Sequence, residues 1–208
     1  MNTESTCDSL PIFQGAIQTL NASLTERNIT VIDAMTVALI DAFRRGGKVL
    51  ICGNGGSAAD AQHLAAELLV RLRPDVNRQG IPAIALTMDA STLTAYANDY
   101  DFDGVFERMV QTLGKPGDVL LGISTSGNSS NVVRALNSAQ SVGITTLGFL
   151  GAGGGAALNA CDHAFVVASD ETALIQIVHI TAGHALLVGV EDALLRQGFI
   201  TRATTPGA

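Results

Sequence analysis

Lys48-Val49-Leu50-Ile51-Cys52-Gly53-Asn54-Gly55-Gly56-Ser57 joins a short, continuously apolar run to a small polar segment, and the periodicity changes after it. Val49 to Cys52 is partly β-branched and has no alternation, which fits a strand buried on both faces of a parallel sheet. Beyond Ser57, the residues Ala58, Ala61, Leu64, Ala65 and Leu68 recur at helical spacing, with no Gly or Pro before Pro74. The arrangement recurs downstream. Asp118-Val119-Leu120-Leu121-Gly122-Ile123 leads into Ser124-Thr125-Ser126-Gly127-Asn128-Ser129, and Asn131 to Val142 follows as a helix with Val132, Val133, Leu136 and Ala139 inward. Strand, small-residue loop and helix thus occur twice.

A loop of this kind exposes backbone N–H groups at a helix N-terminus, where the aligned peptide dipoles favour an anion. Gly55 and Gly56 permit close backbone approach, and the hydroxyls of Ser124, Thr125, Ser126 and Ser129 can donate to phosphate oxygens. Ser, Asn and Gly are also ordinary turn and cap residues, so one such loop alone carries little; two at equivalent places carry more. The first loop lacks the third glycine of a dinucleotide fingerprint, and no Gly-Lys-Ser/Thr closes a nucleotide-binding loop. A phosphorylated small molecule is favoured over ATP or NAD.

Further strands are expected at Ile81 to Leu86, Thr145 to Leu150 and Ala164 to Val167, and helices at Ala90 to Ala97, Phe102 to Leu113 and Thr172 to Gln197. Alternating elements predict parallel strands with right-handed crossovers, and ligands in such sheets sit beyond the carboxyl ends of the strands, where both polar loops fall. The first 46 residues carry helical spacing (Ile12, Ala16, Leu20, Leu24, then Ile32, Met35, Leu39, Ala42, Phe43) and stop at Gly46-Gly47. Arg71 to Gly80, with Pro74, Asp75 and Asn77, reads as a mobile loop, and Thr201 to Ala208 as a frayed tail.

At 208 residues the chain can bury one sizeable core, and no composition shift marks a second domain. A net charge of −7 argues against a general nucleic-acid surface but not against an anionic substrate, since local helix N-termini can outweigh a distant acidic surface. Cys7, Cys52 and Cys161 are scattered and odd in number, which argues against a disulfide framework or a cysteine zinc site. No signal peptide is expected and no apolar stretch is expected to approach the roughly 20 residues of a membrane span, so a cytoplasmic location is the default.

His63 and Glu67 are four apart on the helix that begins at the first loop and share one face. On the apolar C-terminal helix, Gln176 and His184 are eight apart, about 80° in direction, and His179 points about 140° from His184. Such polar residues inside an apolar helix need partners. His and Glu on one helix with His and Gln on another can offer N and O ligands to a divalent metal, zinc being the most natural. Equally, Glu67 and His184 can form a metal-free acid/base couple. The residues alone leave both open, and a surface His63–Glu67 pair of little consequence remains the plain alternative.

The run Gly53-Asn54-Gly55-Gly56-Ser57-Ala58-Ala59-Asp60-Ala61-Gln62-His63, followed by Glu67, resembles the active-site segment of phosphoheptose isomerases of the sugar isomerase (SIS) fold. Ala97-Asn98-Asp99, the Ser124 to Ser129 loop, and Ile175-Gln176 with His179 and His184 match in order and approximate spacing, so the resemblance spans the chain to about residue 195. It implies a three-layer α/β fold, a five-stranded parallel sheet flanked by helices. The expected layout is a single SIS domain over residues 1–208, with an N-terminal helical pair (1–46), an α/β core (47–197) and a tail (198–208). It further implies a homotetramer with shared active sites, and conversion of sedoheptulose 7-phosphate to D-glycero-D-manno-heptose 7-phosphate through an enediol.

In residues, the resemblance implies zinc on His63, Glu67, Gln176 and His184, and Glu67 and His184 as the proton-moving groups. Phosphate and sugar would be held by Asn54, Gly55, Gly56, Ser57, Asn98, Asp99, Ser124, Thr125, Ser126, Ser129 and Gln176. The chain departs from many relatives at Leu174 and Ile177, where a basic residue and a Glu often stand. The rival readings are a noncatalytic SIS protein that binds a phosphosugar or acts in replication control, and another SIS enzyme such as a hexose phosphate isomerase. Glu67 with His184 argues against the first; His63 with Gln176 and His184 argues against the second.

Overall fold

A computed structural model describes residues 9–202, so Cys7 and positions 203–208 of the tail lie outside the described residues. Two helices, α1 (Leu10–Ser23) and α2 (Glu26–Arg44), precede an alternating run: β1 (Val49–Gly53), α3 (Gly56–Leu69), β2 (Ala83–Ala85), α4 (Ala90–Asp99), α5 (Val105–Leu113), β3 (Val119–Ser124), α6 (Ser130–Ser141), β4 (Thr145–Leu150), β5 (His163–Val166) and α7 (Thr172–Arg196). The strands form one 5-stranded sheet in the order β2-β1-β3-β4-β5, and every pairing is parallel. The expected sheet is therefore present. Its order places a topological switch point between β1 and β3, the two strands that carry the polar loops.

The apolar strands split their side chains between two layers. Val49, Ile51, Val119, Leu121, Ile123, Leu147 and Phe149 pack with α2, α3 and α7, whereas Leu50, Cys52, Leu120 and Leu150 pack with α5 and α6. Coverage of both faces explains why β1 and β3 read as unbroken apolar runs. The Asp118 carboxylate lines up the strand starts, accepting from Lys48 N (3.0 Å), Lys48 Nζ (2.6 Å) and Lys115 N (2.8 Å). Thr25 caps α2 by accepting from Asn28 N, and the Asn28 amide donates to Ser23 O and Val166 O, fastening the helical pair to edge strand β5.

Three expectations change in detail. The helix expected over Phe102 to Leu113 is a 3₁₀ turn (Phe102–Gly104), whose Gly104 N–H donates to Asp101, followed by α5. β2 is shorter than expected and pairs only at Val49–Ala83, Leu50–Ile84 and Ile51–Ala85. Against the expectation of no span-length apolar segment, α7 is long and apolar enough to cross a membrane by length and composition. Its apolarity has another cause: α7 packs against α1, α2 and α3, and Leu174, Ile175, Val178, Ala182, Leu186, Leu187, Val190 and Leu194 are buried. A helix apolar on all sides is what a core helix needs.

The segment expected to be a mobile loop is also more tightly held than its Pro, Asp and Asn suggested. Val76 and Arg78 are buried, and both Arg73 and Arg78 are ion-paired to Glu191 of α7.

Candidate active site

α3 and α6 start at the switch point, and neither N-terminus carries a side-chain cap. At α3 the cap is Gly55, with φ +56°, a left-handed conformation that glycine adopts without strain. At α6 the cap is Ser129, whose hydroxyl pairs with the Ser124 hydroxyl (3.1 Å) instead of closing the helix end. Two uncapped helix N-termini flanked by hydroxyls can accept an anion. Asn54 and Asn131 exchange amide hydrogen bonds in both directions (2.9 Å each), which binds the two loops into one cradle.

The second loop is held from below. Gly127 has φ +64° and lies directly on Gly154, where a Cβ would strike the Gly154 carbonyl, and its own carbonyl accepts from Ala157 N (2.8 Å). Asn128 Oδ1 accepts from Ala156 N, and Ser126 Oγ accepts from Asn128 N. Ser57 and Ser124 are buried, Thr125 and Ser129 half-buried, and Ser126 exposed.

α7 runs alongside α3 and supplies one polar residue at each of two levels. At the upper level the Gln176 amide lies over Gly56: a Cβ on Gly56 would stand 2.8 Å from Gln176 Cδ and 2.9 Å from Oε1. At the lower level Gly183 meets Leu64, and this close approach brings His184 to His63, their Nε2 atoms 2.9 Å apart and their rings edge to face. Glu67 Oε1 is 3.5 Å from His63 Nε2. Ligand atoms of His63, Glu67 and His184 all fall within 4.8 Å of one another.

The donor set suits a divalent cation, two imidazole nitrogens and a carboxylate being zinc-type ligands. Among the described residues Glu67 Oε2 is buried without a hydrogen-bond partner, and two facing imidazole nitrogens need either a shared proton or a shared cation. The site is partly open, with the His63 side chain 46% exposed and that of Glu67 20%.

Gln176 stands apart from this trio. Eight residues of helix separate it from His184, about 12 Å of rise, and its amide lies against Gly56 at the first loop. Asn98 and Asp99 sit on the exposed face of α4, where the Asn98 amide donates to the Asp99 carboxylate (2.9 Å). Among the described residues no hydrogen bond joins either to the cradle or to the imidazoles. His179 belongs to the core: it is fully buried and stacked on Phe149, and burial depresses its pKa to about 4. Leu174 is buried against α1 beside Gly15, whereas Ile177 is exposed.

Other residues joined the site without a sequence signal. Asp60, one turn before His63, has a buried Oδ2 without a partner among the described residues, and burial pushes its carboxyl above the usual range, opposed by His63. Its spacing to His63 is ordinary helix spacing, so although it stands within the Gly53–His63 run, periodicity gave it no role of its own. Asn131, the partner of Asn54, looked like any early-helix residue.

Known proteins resemble this arrangement closely. Residues 13–151 match the model of the SIS domain. A phosphoheptose isomerase of Chlorobaculum parvum is 51% identical over 179 residues, covering 84% of this chain and 84% of that protein. Among solved structures, a phosphoheptose isomerase from Francisella tularensis superposes with a TM-score of 0.83 at 34% identity, covering 89% of this chain and 100% of the other. The phosphoheptose isomerase of Neisseria gonorrhoeae gives 0.78 at 37% identity, covering 88% and 96%.

Proposed function

Since the chain belongs to the SIS-domain family of phosphoheptose isomerases, we propose that it converts sedoheptulose 7-phosphate to D-glycero-D-manno-heptose 7-phosphate, the first step toward heptose for lipopolysaccharide or another surface glycan. The observation that carries the reading is the trio His63, Glu67 and His184 on the helix pair whose leading end forms the anion cradle. Ser57, Ser124, Thr125, Ser126 and Ser129, with Asn54 and the amides at Gly55 and Gly56, hold the phosphate, where the helix dipoles and hydroxyl donors act together. Gln176 orients substrate from its place on the first loop. Asn98 and Asp99 hold sugar hydroxyls from α4.

The ketose becomes an aldose by proton transfers alone. Glu67 takes a proton from C1, giving a cis-enediol, and returns one to C2, while His184 carries the proton that leaves the O1 hydroxyl and reaches O2. No electrons leave the sugar. His63, Glu67 and His184 would hold a divalent ion such as zinc, which when bound would polarise the sugar carbonyl. Gln176 completes that set only from another copy, given its separation from His184 along α7. This supports a homotetramer with shared sites, one copy's cradle facing another's trio. The working unit is one SIS domain with its N-terminal helical pair, in the cytoplasm.

The test is incubation with sedoheptulose 7-phosphate, following the aldose by NMR with and without a chelator. Turnover that falls on thorough metal removal is expected. Turnover that survives it takes zinc out of the account and leaves Glu67 with His184. Tight phosphosugar binding without turnover refutes the reading.

A further inference from the structure

The loop after α3 delivers a buried guanidinium to the end of the helix that carries Glu67. The side chains of Arg78 and Glu191 are both 0% exposed, and Arg78 Nε donates to Glu191 Oε1 at 2.6 Å. The rest of the fork is aimed at backbone: Nη2 donates to Glu67 O (2.9 Å), and Nη1 to Leu68 O (2.9 Å) and Gln79 O (3.0 Å). The other Glu191 oxygen accepts from Arg73 Nε (2.7 Å), and Arg73 Nη2 reaches Asp192 Oδ1 (2.5 Å).

The carbonyls of the last turn of a helix have no partners within it, and a cation at that end also meets the negative pole of the helix dipole. Arg78 fills both roles for α3. Glu191 lies seven residues beyond His184 and therefore on nearly the same face of α7. The pair thus ties the turn bearing Glu67 to the helix bearing His184, on the side of the trio away from the cradle. A buried ion pair is a poor device for stability alone, because apolar residues of similar volume often serve as well or better. What apolar residues cannot supply is the fork that fixes two carbonyls.

We propose that Arg78, held by Glu191, is a positioning residue that sets the Glu67 carboxylate against His63 and His184. The inference rests on the reading of Glu67 as the proton-moving group. A displacement on the order of 1 Å at such a group can cost about 100-fold in rate. Loss of Arg78 therefore acts on kcat, while KM, governed by the cradle at the other end of α3, changes little.

Two variants of the full chain separate this from a stabilising role. Arg78→Met/Glu191→Met removes both charges together, so the fold has no buried unpaired ion, yet Glu67 O loses its Arg78 donor while Leu68 O keeps only the bond from Ile81 N (2.9 Å). Arg78→Lys keeps the charge opposite Glu191 but replaces the planar fork with a point charge. For both, circular dichroism and thermal melts are read beside kcat and KM for sedoheptulose 7-phosphate, with Glu67→Gln as the reference. The expected result is a folded protein with kcat down about tenfold or more and KM within about threefold. Wild-type kcat in either folded variant, with Glu67→Gln inactive, overturns the role of Arg78 alone. Should the double variant fail to fold, Arg78→Lys decides by the same criterion. Full activity in Glu67→Gln brings down the underlying reading whatever the Arg78 variants do.

Discussion

Gly183→Ala tests whether the contact between α3 and α7 sets the geometry of the trio. A Cβ at Gly183 would stand 2.7 Å from Leu64 Cδ2 and 3.0 Å from Cδ1, and Leu64 is itself buried in the core between β1 and α7. Carbon atoms in contact prefer about 3.5–4.0 Å, so the helices must part or Leu64 must move by about 1 Å. Overpacking of this kind costs about 1–3 kcal/mol, while alanine in place of glycine within a helix returns up to about 1 kcal/mol, leaving a net loss of about 0–2 kcal/mol. The stability change is therefore small. The residue next to the insertion is His184, whose Nε2 sits 2.9 Å from His63 Nε2, and a shift on the order of 1 Å there corresponds to up to about 100-fold in rate. Urea melts would give the stability, and initial rates with sedoheptulose 7-phosphate the activity. A near-native melt with kcat down at least about tenfold is expected. Wild-type kcat in Gly183→Ala would refute the reasoning, since it would mean that the approach of α7 to α3 does not control the site.

Further outcomes follow from the same structure. Gly127→Ala puts a side chain at φ +64° and against the Gly154 carbonyl, so it should destabilise by about 2 kcal/mol or more in denaturant melts. Asn54→Ala and Asn131→Ala should be non-additive, with a coupling of about 1 kcal/mol in a double-mutant cycle, because each amide's partner is the other. His179 is held at about 4 in the native protein against about 6.5 in an unfolded chain, so the unfolded state binds the extra proton between those values. Stability should fall as pH drops from about 6.5 to about 4, by up to about 3 kcal/mol from this group, and His179→Leu should flatten that slope in pH-dependent melts.

The fold was legible because its main determinants are local. Val49 to Cys52 and Val119 to Ile123 announce doubly covered strands, and the polar loops after them occupy the switch point that the strand order creates. Pairing His63 with Glu67 required only the helical repeat. Gln176 was harder to place, since a comparison of directions around a helix ignores rise, and about 12 Å of it separates Gln176 from His184. His179 was misleading for a related reason: a polar residue on an apolar helix can be a core ring stacked on a partner such as Phe149, which lies 30 positions away in sequence. Arg78 gave no signal at all. Its loop reads as mobile from Pro74, Asp75 and Asn77, while the residue that pairs with it, Glu191, stands on the last helix.

The most direct test compares wild type with Glu67→Gln under single turnover with sedoheptulose 7-phosphate, measuring the aldose formed and, separately, phosphosugar binding. Glu67→Gln keeps the cradle and the shape of the side chain but removes the base. The account predicts aldose from the wild type, none from the variant, and phosphosugar binding retained in both. Substantial aldose formation by Glu67→Gln, or none by the wild type, would contradict it.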